Sequence, residues 1–363
     1  MQTANTPLPT MYQAWREFLA NTGAIIERER VEHFGQPEEE RRMAESRDIL
    51  VDLSHLALLQ ARGPDAQSFL QGQLSNDIRQ VSATQAQISA YCNPKGRMFA
   101  IFQIFQRDDS YYLQLPAALA DATLKRLRMF ILRSRLTLGH APDELMRIGL
   151  SGPNAPRLIE ETTGLLPSTA NETYSGDDIT VLRLTGPLPR FELIAPRQRM
   201  ETIWTSLARH AAPTGAGPWA WLEIKAGIPT VLPGTVEEFV PQMANLELLE
   251  GVNFKKGCYP GQEIVARMHY LGRLKQRMFL AHVENDSKPQ PGMPVFAPDL
   301  PGQSAGTVVS AEPAPAGGYD LLAVIQLSSV QRGEIRLAAE QGPPLKLSDL
   351  PYVTVAQLAN PLP

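Results

Sequence analysis

A strand, a Gly-Pro break and a helix start occur twice in this chain, and that recurrence constrains its fold more than any single motif does. Arg62-Gly63-Pro64-Asp65-Ala66 returns as Ser151-Gly152-Pro153-Asn154-Ala155. Further along, Tyr112-Leu113-Gln114-Leu115-Pro116 returns as Phe191-Glu192-Leu193-Ile194-Ala195-Pro196. Each time, apolar residues of strand character run into a breaker that opens a helix. The spacings of the two echoes agree within a loop insertion, so two related α+β units in tandem are expected.

The finer pattern fits such units. Ile88 to Cys92, Met98 to Gln106 and Tyr111 to Leu115 read as strands, joined by the turns Asn93-Pro94-Lys95-Gly96 and Arg107-Asp108-Asp109-Ser110. Pro116 opens a helix to about Arg133, with Leu124, Leu127 and Ile131 on one face. After Arg277 the texture changes: Pro289, Pro291, Pro294, Pro298 and Pro301 punctuate the short strands Met278 to Val283, Ala305 to Ala311 and Tyr319 to Gln326. A small antiparallel β-barrel with a Pro-rich tail is expected there. At the other end, Met11, Trp15, Phe18 and Leu19 share one helix face behind Thr10 as cap, and Glu38-Glu39-Glu40-Arg41-Arg42 reads as a solvated connection or helix end. The expected organisation is a helical extension over 1–48, a first α+β unit over 49–145, a second over 146–276, and the barrel and tail over 277–363.

Composition excludes several classes. With 34 Lys+Arg against 38 Asp+Glu the net charge is −4, so the chain does not grip nucleic acid by bulk charge, and any RNA contact needs a local patch. Two cysteines make neither a disulfide framework nor a four-thiolate metal or iron–sulfur cage. No run of 18 apolar residues exists, which argues against a transmembrane helix. Met1-Gln2-Thr3-Ala4-Asn5 lacks the basic start of a secretory signal, and a cytoplasmic location is expected. The histidines, from His33 to His282, show no metal-ligand spacing, and no metal site is expected.

One stretch concentrates chemistry: Asn253-Phe254-Lys255-Lys256-Gly257-Cys258-Tyr259-Pro260-Gly261-Gln262-Glu263-Ile264-Val265-Ala266-Arg267. Its glycines and proline make a tight loop, and Gln262 to Met268 can begin a short helix. Cys258 would then sit before a helix N-terminus beside two lysines, both of which favour a thiolate. The plainer reading is a buried structural cysteine, although Lys-Lys-Gly and Pro-Gly on either side argue for exposure. Cys92 ends an apolar strand and reads as a core thiol. The turn that follows it carries Lys95 and Arg97, placed to meet an anionic ligand or simply solvated. Lys255, Lys256, Arg267, Arg273, Lys275 and Arg277 form either a positive patch suited to a phosphate, a polyglutamate tail or an RNA backbone, or a solvated basic face. Trp219 and Trp221 either stack on a flat heterocycle or pack in the core.

The eight residues Lys256-Gly257-Cys258-Tyr259-Pro260-Gly261-Gln262-Glu263 resemble the Lys-Gly-Cys-Tyr-x-Gly-Gln-Glu signature of the YgfZ folate-binding proteins. Gln71-Gly72-Gln73 with Asn76-Asp77, then Cys92-Asn93-Pro94-Lys95-Gly96-Arg97, Ala226-Gly227-Ile228-Pro229 and Leu322-Ala323-Val324-Ile325 follow in that family's order, so the resemblance spans about Asp52 to Gln326. It implies the fold of the glycine-cleavage T-protein, a tetrahydrofolate-dependent aminomethyltransferase. It also implies a function: a folate-binding accessory factor for iron–sulfur cluster assembly or repair, with client enzymes such as the radical tRNA methylthiotransferase. Cys258 would be the working thiol, transiently taking sulfur, a redox partner or a cluster ligand. Lys256 would activate it, Tyr259 would shape the loop, and Gln262, Glu263 and Arg267 would support it by hydrogen bonds.

The implied cofactor is tetrahydrofolate or a related folate, bound non-covalently. Trp219 takes the place of one aromatic of the family's pocket. The other falls near Leu56, which is not aromatic, and Asp77, Lys95 and Arg97 complete the implied contacts. Direct tRNA contact through the basic patch is a further partner reading. The alternative function, aminomethyl or other one-carbon transfer, lacks its acids: Gly96-Arg97-Met98-Phe99-Ala100 holds no carboxylate to place a reacting amine.

Overall fold

The computed structural model describes residues 10–359, apart from 29, 177, 271 and 273. Met1 to Asn5 and Arg273 lie outside the described residues, and so do the side chains of Thr10 and Met11. The chain divides into two compact units. One comprises the residues up to His55 with Ala141–Leu184 and Leu188–Trp219. The other comprises Leu56–His140, Thr185–Pro187 and the chain from Ala220 onward.

In the first unit a six-stranded sheet has the order Thr173–Gly176, Ile179–Leu184, Arg190–Pro196, Leu145–Ser151, Ile49–Asp52, Ala212–Thr214. All its pairings are antiparallel except the last, where Ala212–Thr214 runs parallel to Ile49–Asp52. One face is apolar and carries the core: Leu50, Met146, Ile148, Leu150, Val181, Phe191 and Leu193, one residue in two along each strand. The helices Ala155–Thr163 and Arg197–Leu207 cover that face, and the N-terminal helix Thr10–Asn21 joins them. Trp15 and Leu19 are fully buried. The Trp15 ring stacks on Phe18 at 5.3 Å and meets Trp204 edge-on at 5.9 Å. Its indole N–H donates to Asp52 Oδ1 at 2.8 Å. Burial on this scale is worth roughly 3 kcal/mol per large side chain.

The charged run at residues 38–42 departs from the sequence reading. It lies inside a helix, Pro37–Ser46, and Glu40 is buried. Its carboxylate accepts from the backbone amides of Phe34 (2.7 Å), Gln36 (3.2 Å) and Gly215 (2.9 Å). Glu38 and Glu39 stay outside with Arg42. A carboxylate that satisfies three amides is a structural pin, not a solvated charge.

The second unit holds a five-stranded antiparallel sheet ordered Gln87–Cys92, Met98–Arg107, Ser110–Pro116, Leu56–Arg62, Thr137–His140. In both units a three-strand meander is followed in the sheet by the strand that precedes the Gly-Pro break. Both breaks need glycine. Gly63 (φ +128°) and Gly152 (φ +145°) leave no room for a Cβ, which would lie 2.6 Å from Arg135 O and 2.4 Å from Asp48 Oδ1 respectively.

The C-terminal region forms a second, six-stranded antiparallel sheet in the same unit, ordered Arg336–Leu337, Pro294–Phe296, Gly306–Pro313, Tyr319–Gln326, Gln276–Val283, Lys346–Ser348. It does not close into the expected barrel: the curled sheet is open, and its edge strands are unpaired with each other among the described residues. Those edges are two and three residues long, and Pro343 and Pro344 withhold amide donors next to one of them. The Pro-rich tail continues to the helix Val355–Ala359, where Leu358 and Ala359 are buried in the core.

Candidate functional site

Cys258 is a free, exposed thiol on a loop that leads into the helix Gln262–Tyr270. The loop is held from two directions, both within the second unit. The first hold is the turn after Cys92. Gly261 has φ +82°, and a Cβ there would lie 2.4 Å from Asn93 O and 2.6 Å from the Gly96 N and Cα. Backbone thus packs on backbone, which only glycine permits. Asn93 organises its own side of the contact: Oδ1 accepts from the amides of Lys95 (2.8 Å) and Arg97 (3.0 Å), and Nδ2 donates to Glu237 Oε1 (3.1 Å). The Arg97 guanidinium donates to the carbonyls of Glu238 and Glu237. Lys95 is exposed.

The second hold is Lys256. Its side chain is buried, and its ammonium donates to the carbonyls of Gln71 (2.6 Å), Leu74 and Asn76 (3.0 Å). An ammonium has three protons, and three carbonyls take them. Burial pulls this group down to about 8, against the pull of the Asp77 charge. The Lys256 ammonium also lies 5.2 Å from the centre of the Tyr259 ring, which is itself buried and whose phenol burial pushes up. Asp77 forms a forked pair with Arg79 (2.8 and 2.7 Å), which holds its carboxyl down to about 2. The segment Gln71–Asp77 is anchored further where Ser75 donates to Gly251 O at 2.7 Å and Asn76 to Glu250 O at 2.6 Å.

The structure therefore brings together three of the segments that carry the sequence signature. Gln262 donates to Lys256 O across the loop at 3.4 Å, while Glu263 and Arg267 are exposed on the helix. Cys92 is buried as expected, and burial pushes its thiol up to about 12. The basic patch is smaller than its sequence count. Lys255, Arg267 and Lys275 are exposed. Lys256 is buried, and Arg277 pairs with Glu247.

Of the expected folate contacts, Leu56, Asp77, Lys95 and Arg97 belong to the second unit and Trp219 to the first. Leu56 is half-buried at the start of its strand. The two tryptophans lie on one helix, Ala216–Lys225. The buried Trp219 has the Arg190 guanidinium 4.6 Å from its ring centre and fills the space above Gly149. The Trp221 N–H donates to Asp320 Oδ2 at 2.8 Å.

Sequence reasoning missed the polar face of the first unit's sheet. The register pairs Arg190 with Ser151, Glu192 with Gly149 and Ile194 with Arg147, so Arg190, Glu192 and Arg147 share the face that also carries Trp219 over Gly149. All three charged residues are buried. The signal was present in Arg190-Phe191-Glu192-Leu193, where charge alternates with bulk in a strand buried on both faces. Among the described residues no group of three His, Cys, Asp or Glu is arranged to hold a metal ion, and no helix is long and apolar enough to cross a membrane.

A family model described as the GCVT N-terminal domain matches residues 3–249. A protein from Yersinia pseudotuberculosis serotype IB called tRNA-modifying protein YgfZ is 30% identical over 84% of this chain and 92% of its own length. The chain belongs to the YgfZ family. Proteins of the same description from Klebsiella pneumoniae (28% identical over 84% of this chain and 92% of that one) and Colwellia psychrerythraea (32% identical over 63% and 70%) are also similar to it. The family match begins at residue 3, so the N-terminal segment lies within it rather than before it, as the helix Thr10–Asn21 in the core of the first unit also indicates. Among solved structures, the glycine cleavage system aminomethyltransferase T from Bartonella henselae superposes with a TM-score of 0.75 at 16% identity, covering 93% of this chain and 96% of that one. The shared fold is the T-protein fold.

Proposed function

We propose that this YgfZ-family chain is a cytoplasmic, folate-binding accessory protein for iron–sulfur enzymes, tRNA modification among their tasks, and that Cys258 is its working thiol. The observation that carries the reading is the mounting of Cys258. The thiol is exposed while the residues on both sides are fixed, Lys256 by three carbonyls and Gly261 by the turn Asn93 to Arg97. A reactive group on a rigid support is what a site acting on a partner needs. The relatives' description as tRNA-modifying proteins gives the process.

The polar face of the first unit suits a folate. A carboxylate such as Glu192 can accept the paired N–H groups of an amino-pyrimidinone edge, with Trp219 supplying aromatic surface and Arg190 and Arg147 positive charge. The common strand order of the two sheets supports reading them as a tandem pair of related units. One-carbon transfer has no comparable support. Where a carboxylate would place the amine, Phe99 lies with the Arg126 guanidinium 4.9 Å from its ring centre.

The test is the methylthio-tRNA level in cells lacking the protein. Wild type restores it and Cys258→Ala does not. Full rescue by the alanine variant removes the thiol from the mechanism.

A further inference from the structure

Three aromatic rings flank the Cys258 loop: Phe254 before it, half-buried against the core, and His269 and Tyr270 exposed at the end of the helix after it. Phe254 and His269 stack in parallel, with ring centres 3.8 Å apart and planes 10° from each other. Tyr270 meets both edge-on, at 4.8 Å from His269 and 6.2 Å from Phe254. His269 is exposed, and Tyr270 is 63% exposed, among the most exposed large hydrophobic side chains described. A single exposed apolar side chain is ordinary; the grouping of the three rings is what sets this surface apart.

Along this segment the charge has one dominant sign, and the Glu247 carboxylate that reaches His269 is itself paired with Arg277. Between Phe254 and Lys275 the sequence holds a single acid, Glu263. Lys255 and Arg267 are exposed on the same loop and helix, and Lys275 is exposed just beyond. Local positive charge in a chain of net charge −4 is a feature of this segment and not of the molecule. Aromatic π-faces among cations match a polyanion that carries flat rings. Nucleobases stack on such faces, and only unpaired bases present theirs.

We infer that Phe254, His269 and Tyr270, with Lys255 and Arg267, form a stacking platform for unpaired bases of an RNA on the segment that bears Cys258. The choice of RNA rests on the tRNA-modification reading. The platform itself rests on the rings and charges.

The experiment is fluorescence anisotropy with a labelled 12-nucleotide RNA of mixed sequence, single-stranded and annealed to its complement, on the full chain. The single strand binds more tightly than the duplex. Tyr270→Ala weakens single-strand binding about 10-fold, within the range of one lost base stack, whereas Tyr270→Phe retains it. Lys255→Gln lowers affinity and reduces the steepness of its logarithmic salt dependence by about 0.7. Equal affinity for both forms of the RNA, or an unaltered Tyr270→Ala protein, overturns the platform. Both positions are exposed, so misfolding does not confuse the result. The cellular assay separates this inference from the functional reading: wild type that restores tRNA modification but binds no RNA refutes the platform alone. Wild type that binds the single strand but restores nothing refutes the reading alone.

Discussion

Lys256 and Gln71 stand 185 positions apart in sequence, yet the lysine ammonium donates to the Gln71 carbonyl at 2.6 Å. With Leu74 and Asn76 this makes a cage of three carbonyls closed by one side chain. Lys256→Met leaves those carbonyls without their donor at a site where water enters poorly. The expected loss is about 3 kcal/mol in urea unfolding, since each buried unsatisfied acceptor costs ~1–3 kcal/mol and some relax. A loss under about 1 kcal/mol would mean that the cage is not needed for stability.

Gly261 and Gly257 lie four positions apart in one motif but should respond oppositely to alanine. A Cβ on Gly261 would run into Asn93 O and Gly96 at a φ of +82°, whereas a Cβ on Gly257 meets nothing within 4 Å. Gly261→Ala is therefore expected to lower stability by at least about 2 kcal/mol, from strain plus displacement of the turn. Gly257→Ala should change stability by less than about 0.5 kcal/mol. Thermal unfolding of the two variants side by side distinguishes them, and equal shifts would refute the interlock.

The two cysteines give a chemical readout of the same loop. Cys258 is exposed, while Cys92 is buried and burial pushes its thiol up to about 12. Only the thiolate attacks a disulfide reagent, so burial withholds Cys92 both by access and by ionisation and leaves the exposed Cys258 to react. Titration with an aromatic disulfide at pH 8 should release one equivalent promptly and the second only in denaturant. Cys258→Ala should abolish the prompt phase. Two prompt equivalents would show that the strand ending at Cys92 opens readily.

Much of this architecture could be read from local pattern. The strands ending at Cys92 and starting at Met98 and Ser110 lie within a residue or two of their expected bounds, because Asn93-Pro94-Lys95-Gly96 and Asp108-Asp109 are turn residues by their own chemistry. Tyr319–Gln326 matches its expected bounds. What escaped depends on distant partners. Glu40 looks like part of a solvated run until Gly215, 175 residues away, donates to it. Lys256 looks like half of a basic pair until the carbonyls of Gln71 to Asn76 surround it. The open edge of the C-terminal sheet depends on strands of two and three residues, too short to leave a period in sequence. Local periodicity shows which elements form, and burial of a charge is decided by where the rest of the chain returns.

His55 gives a pH test of that last point. It stands in the turn between Ile49–Asp52 and Leu56–Arg62, and burial, with Arg30 and Arg147 nearby, pulls its imidazole from the ordinary 6.5 down to about 3. Between those values the unfolded chain binds a proton that the folded chain refuses. Stability therefore falls as pH drops from about 6.5 towards 3, with a slope of up to ~1.4 kcal/mol per pH unit from this group. Asp52, whose carboxyl burial pushes up, acts in the opposite sense. The informative quantity is thus the stability of wild type minus that of His55→Gln, measured by urea unfolding at pH 7, 6, 5 and 4. That difference should decline steadily towards acid, because only the wild type carries the refused proton while Asp52 is common to both. A flat difference would show that His55 takes up its proton in the folded chain.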